Sequence, residues 1–154
     1  MEMAGVGLTP SPHASNTSIK RFNEYFIRIL FSLYKHAIQF SWVRAQEECS
    51  SNNADLASVT SSEENRFINQ LAGDKESWIG GNDRETEGTF TWSDGSPWDT
   101  TKLEQFWAPE EPANSGDGSR YDCVHIVPGA GGRWKVDWCP RTKPFVCERL
   151  VGEI

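Results

Sequence analysis

Between Glu111 and Cys123 the chain reads EPANSGDGSRYDC, a run of carboxylate, amide and hydroxyl side chains broken by glycines and a proline. Oxygen donors at this density suit a calcium ion, which takes about six to eight hard oxygen ligands, several of them anionic. A second acidic pair stands upstream in NDRETEG, where Asp83 and Glu87 are four residues apart. Downstream, WKVDWC carries Lys135 and Asp137 just ahead of Cys139. The chemistry within reach is therefore cation binding, together with hydrogen bonding to a ligand rich in polar groups. Catalysis has less support. His13, His36 and His125 are scattered, and His125 has no serine or cysteine nucleophile at a recognisable spacing, so no enzyme is expected.

Positioning such donors is within reach of a one-domain chain: 154 residues, 37% hydrophobic and 24% charged, are enough to bury a core. A formal charge of −7 argues against nucleic acid, which needs clustered Lys and Arg, and is compatible with cations or neutral ligands. Cys49, Cys123, Cys139 and Cys147 lack the two-residue spacing of zinc and redox motifs. Widely spaced and even in number, they favour two disulfides in an oxidising, extracellular setting, with three connectivities open. No segment reads as membrane-spanning: the most apolar run, FIRILFSLY, is short and interrupted by Arg28. Residues 1–21 read as an unstructured leader without the apolar run of a signal peptide, which suggests a fragment or one module of a longer protein. Asn16-Thr17-Ser18 within it matches a glycosylation acceptor.

The folded domain is expected over residues 22–150, with 151–154 as a tail. Phe22 to Phe40 reads as strand-like. SWVRAQEECSS reads as a helix capped by Ser41, with Trp42, Ala45 and Cys49 on one face. After a short apolar stretch from Asp55, a second helix begins with Ser61 and Glu64 at capping-box spacing, its apolar face formed by Phe67, Ile68 and Leu71. SWIGG, TFTW, CVHIV, RWKVDW and FVCERL read as strands, with PGAGG a hairpin-type turn. Ser93 to Arg120 is a long irregular stretch, the kind of segment that carries function. The fold class is α+β, two helices packed on small antiparallel sheets beside a long loop. Of the seven tryptophans, Trp78, Trp92, Trp107 and Trp134 are expected in the core, while Trp98 and Trp138 are candidates for stacking on a sugar or a partner protein.

In that order, WVRAQEEC, ADLASVTSSEEN, WIGGND, TFTWSDGSPW, EPANSGDGSRYDC and WKVDWCPRTKPFVCE resemble the C-type lectin-like domain from about Phe31 to Glu148. The resemblance implies disulfides Cys49–Cys147 and Cys123–Cys139, and an extracellular or secreted, non-enzymatic recognition module. In sugar-binding members the long loop holds a calcium ion that coordinates sugar hydroxyls directly. Matched residue by residue, that set falls on Glu111, Ala113, Tyr121, Lys135 and Val136. Only Glu111 is an effective ligand, and Lys135 would set an ammonium against the ion. Asp137 would enter only by a one-residue slip. The expectation is that the sugar-bridging calcium is lost. An accessory calcium position falls on Asp83, Glu87, Asn114, Tyr121 and Asp122, where one structural Ca2+ would order the loop. The plainer reading makes Asp83 and Glu87 solvated acids and Asp122 a backbone acceptor.

A glycan or protein ligand is thus expected at Glu111, Asn114, Tyr121, Lys135 and Asp137. The alternatives are a calcium-dependent lectin with a modified site, a structural module and, last, an enzyme. Arg133, Lys135, Arg141 and Lys143 form a small basic group, either a solvated edge or a contact for sulfated glycan or an acidic protein surface. Nothing in the sequence speaks to oligomeric state.

Overall fold

Two capped helices and a set of strands follow from local signals in the sequence, and a computed structural model assembles them. It describes residues 14–21, 27–33, 39–113, 121–129 and 131–151. The strands are β1 (Ala14–Arg21), β2 (Ile27–Leu33), β3 (Asp55–Leu56), β4 (Ser77–Asn82), β5 (Thr91–Trp92), β6 (Cys123–Val127), β7 (Arg133–Asp137) and β8 (Phe145–Val151). The helices are α1 (Trp42–Ser51), α2 (Ser62–Ala72) and a short α3 (Thr100–Leu103) that runs into a 3-10 turn, Glu104–Phe106.

The Ser41 hydroxyl accepts the Arg44 N–H at 3.3 Å and so starts α1. As the spacing implies, Trp42, Ala45 and Cys49 are the buried face of this helix. Helix α2 starts where Ser61 Oγ accepts the Glu64 N–H at 3.1 Å, while the Glu64 carboxylate folds back onto the N–H and hydroxyl of Thr60. Its buried face is not the expected one. Ile68 is fully buried and Phe67 and Leu71 only half so, whereas Asn65 faces inward. The reason is polar: Asn65 Oδ1 accepts from Trp134 Nε1 at 2.9 Å, and its Nδ2 donates to Gly132 O at 3.0 Å. A buried indole N–H and a turn carbonyl are thereby partnered.

The strands form one mixed sheet in the order β1-β2-β8-β4-β6-β7, with β3 on β8 and β5 on β4. All pairs are antiparallel except β4 with β8. Strand β1 lies inside the leader read as unstructured and pairs with β2 from Ala14↔Leu33 to Arg21↔Ile27. Its sequence, ASNTSIKR, is mostly polar and lacks the apolar alternation that signals a strand. Residues 1–13, 22–26, 34–38 and 152–154 lie outside the described residues.

Two apolar clusters sit on the sheet. One, beneath α1, holds Trp42, Leu56, Trp78, Phe145 and both disulfides, Cys49–Cys147 and Cys123–Cys139, the pairing implied by the resemblance. The other joins α2 to the long loop through Ile68, Ile79, Trp92, Leu103, Phe106 and Trp134. Within the loop, α3 went unseen in the sequence because its signal is one Asp99 cap accepting from Thr101 N at 3.1 Å and a single buried Leu103. Trp98 is half-buried, packed at 4.6 Å on Trp92 and near Phe90, Trp107 and Trp134. Trp107 is half-buried against the same cluster, and Trp138 is exposed.

Candidate calcium and ligand-binding sites on the long loop

The long loop is fastened to the edge of the sheet by backbone bonds. Trp107 bridges Trp134, and Ala108 N donates to Trp134 O at 2.9 Å. The turn that follows, closed by Glu111 N donating to Ala108 O at 3.0 Å, presents Glu111 ahead of a cis bond to Pro112. Glu111 Oε2 then accepts two backbone N–H groups, from Ala113 at 2.9 Å and from Val136 at 3.1 Å. These belong to two of the three matched positions that offer no side-chain oxygen, Lys135 being the third. The carboxylate is thus satisfied by its own chain, and the free edge of β7 is closed by it.

The other expected ligands are dispersed. Val136 is buried with its apolar side chain inward. Tyr121 and Lys135 are exposed, and Asn114 lies outside the described residues. Asp137 is committed elsewhere: Oδ2 takes Lys143 Nζ at 2.9 Å, while Oδ1 takes Arg141 Nε at 3.1 Å and the Trp138 N–H at 2.8 Å. Burial pushes its carboxyl up, yet the Lys143 and Trp138 bonds and the charges of Lys143 and Arg141 leave it below the usual carboxylate range.

The accessory acids do come together. Because Asn82 of β4 pairs with Cys123 of β6, the residues just beyond, Asp83 and Asp122, are neighbours, and Asp83 N donates to Asp122 O at 3.0 Å. A turn returns Glu87 to the same place, and one oxygen from each of Asp83, Glu87 and Asp122 lies within 4.8 Å of the others. Asp83 is 5% exposed; its Oδ2 accepts from Gly88 N at 2.9 Å, while its Oδ1 is buried without a partner. Burial, and then the Asp122 charge, raise the Asp83 carboxyl above its ordinary value. Glu87 is raised by desolvation and by the charges of Asp83 and Asp122. A calcium ion fits this donor set, since it would take the orphaned oxygen and cancel the mutual repulsion.

The basic group read from the sequence is not one patch. Lys143 is buried between Glu76 and Asp137, at 2.9 Å from each, and its Nζ stands over the Trp78 ring. Arg133 Nη1 donates to Gln105 O at 2.8 Å and to Trp107 O at 3.3 Å, holding the loop base. Sequence reasoning missed Glu76, whose carboxylate also stands 3.6 Å from the Nε2 of buried His125. Burial, with the Lys143 charge beside it, lowers His125 to about 4, so the ring is neutral at physiological pH.

Three comparisons bear on this geometry. The family profile described as Lectin C-type domain matches residues 38–149. Mouse C-type lectin domain family 4 member F is 37% identical over 113 residues, covering 72% of this chain and 20% of that protein. Mouse asialoglycoprotein receptor 1 is 37% identical over 115 residues, covering 73% of this chain and 38% of that protein. The chain thus spans between a fifth and two fifths of the length of these relatives. Among solved structures, the trimeric Kupffer cell C-type lectin receptor superposes with a TM-score of 0.73 at 33% identity, over 88% of this chain and 85% of that one. A calcium-dependent type II antifreeze protein in its calcium-free form gives 0.68 at 25% identity, over 85% and 96%.

Proposed function

The chain belongs to the C-type lectin domain family, whose members are non-enzymatic binding modules, and from that premise we propose that it recognises glycans outside the cell without a calcium ion bridging protein to sugar. The observation that carries this reading is the Glu111 carboxylate bound by the Ala113 and Val136 N–H groups. A sugar-bridging ion needs several anionic oxygens converging on one point. Here the remaining positions offer a methyl group, a phenol, an ammonium and an isopropyl group, and Asp137 is held by two cations. Titration calorimetry with mannose and galactose, in calcium and in chelator, tests it. The expected result is no calcium-dependent heat; millimolar binding abolished by the chelator would refute it. A constructive counterpart is the triple variant Ala113→Asn, Lys135→Asn, Val136→Asp, expected to gain calcium-dependent sugar binding.

A separate, structural calcium fits the loop, supported by the orphaned Asp83 Oδ1. Asp83, Glu87 and Asp122 would hold it, with Asn114 and Tyr121 the further positions the resemblance supplies. When bound, the ion supplies positive charge that offsets the repulsion among these acids. The chain's own part is to bring the end of β4 and the start of β6 to one point by strand pairing. The alternative, a calcium-dependent lectin with a modified site, rests on the same acids and meets the same calorimetric test.

A further inference from the structure

Where the family would place an amide ligand for calcium, this chain carries Lys135, and its surroundings give that charge a use. Lys135 is exposed on β7, paired across the strand with His125. No ion pair or hydrogen bond engages its Nζ among the described residues. Arg133, two residues earlier on the same face, is also exposed, and its guanidinium meets carbonyl oxygens rather than a carboxylate. The acids nearby are already neutralised, because Glu76 and Asp137 are shared by Lys143 and Arg141. Glu111 makes no ion pair either, since it is spent on backbone N–H groups. Arg133 and Lys135 therefore stand exposed on β7 without a carboxylate partner among the described residues, in a chain whose formal charge is −7. Exposed cations free of acid partners suit a sugar bearing an anionic group, the anion resting on the charges.

We propose that the exposed face of β7 binds an anionic glycan, one bearing sulfate or carboxylate groups, with Lys135 as its principal contact. The inference rests on the calcium-independent reading above and supplies the ligand class for the same region. A side-chain cation here does for an anionic sugar what a bound ion would do for neutral hydroxyls.

The experiment immobilises dextran sulfate, carboxymethyl dextran and plain dextran and measures binding of the full chain in chelator. Binding to one or both charged polymers and not to plain dextran is expected, with the preferred polymer identifying sulfate or carboxylate as the group read. Affinity should fall about tenfold as salt rises from about 50 to 300 mM, as screening demands for exposed charges. Lys135→Glu should weaken binding about tenfold or more, and Lys135→Arg should retain it. Lys75→Glu, the same charge change on an exposed lysine beyond α2, should change it less than about twofold. Equal losses in Lys135→Glu and Lys75→Glu would reduce the effect to bulk charge and overturn the proposal. So would absence of binding to both charged polymers, the outcome expected if the face serves an acidic protein instead. Either failure leaves the mannose and galactose calorimetry untouched, so the two readings fall separately.

Discussion

A carboxylate drawn out of water needs a cation or an N–H group to replace its hydration, and the acids at the ends of β4, β6 and β7 differ in which they have found. Glu111 has two backbone N–H groups. Replacing it by Ala strands the Val136 N–H at the edge of β7, so Glu111→Ala should lower stability in chelator by about 2 kcal/mol. Urea denaturation measures that loss, and hydrogen exchange should find the Val136 amide less protected. Asp83 is the opposite case, buried with one oxygen orphaned. Its folded-state value is raised above the unfolded one, so the native state holds the proton more tightly and ionisation costs stability as pH rises through that interval. Asp83→Asn should therefore raise the melting temperature of the calcium-free protein at pH 7. It should also abolish any rise in melting temperature on adding calcium, and a calcium response that survives the substitution would place the ion elsewhere.

At the scale of elements, β4 is the strand on which the others depend, buried at every position and bonded to β5, β6 and β8. Its Gly80 exists because the chain has no room there. A Cβ would stand 2.6 Å from Ser93 Oγ and 2.8 Å from Leu56 O, a backbone atom that cannot turn aside. Gly80→Ala should cost about 1–3 kcal/mol by denaturation, through displacement of β3 and β5 together. Strand β6 carries a different liability in His125. It is packed edge-on against Trp78 at 5.9 Å, with Glu76, Lys143, Lys135 and Asp137 as the charged groups around it. Its value of about 4 lies below the ordinary 6.5, so the unfolded chain takes up the proton first. Stability should fall as pH drops from 6.5 towards 4, by up to about 3 kcal/mol. The lowered Glu76 and Asp137 continue the loss below that window. His125→Gln should flatten the upper part of the profile, and an unchanged slope between pH 6.5 and 5 would contradict the assignment.

For the molecule as a whole, the disulfides set how much of the chain is tied together. Cys49–Cys147 spans 98 residues and joins α1 to β8, while Cys123–Cys139 spans 16 and clips β6 to the segment after β7. Loop-closure entropy assigns about 5 kcal/mol to the first and about 3 to the second. Replacing Cys49 and Cys147 by Ser should thus be the more damaging change, by about 1–2 kcal/mol in denaturation midpoint energies. The long loop illustrates why size alone misleads: it is irregular in sequence yet held by Trp98, Leu103 and Phe106 in the same cluster as α2 and β7.

What could be read before folding was whatever depends on neighbours a few residues apart. The Ser41 cap, the Trp42-Ala45-Cys49 stripe and the strands CVHIV and RWKVDW are local patterns, and they reappear with nearly the same bounds. The ordered motifs brought the family and the cysteine pairing as well, and the gaps at Ala113, Lys135 and Val136 could be counted directly. Polar partnerships were not legible, because each joins residues far apart in the chain. Asn65 turns inward for an indole at Trp134, and Asp137 looks like a spare ligand until Lys143 and Arg141 close on it. Glu111 looks like a cation ligand until the Val136 N–H arrives from the next strand. Composition and spacing decided which chemical groups the loop owns. Only strand pairing decided which of them meet, since a hydrogen bond or an ion pair is fixed by distance in space and leaves no period in the sequence.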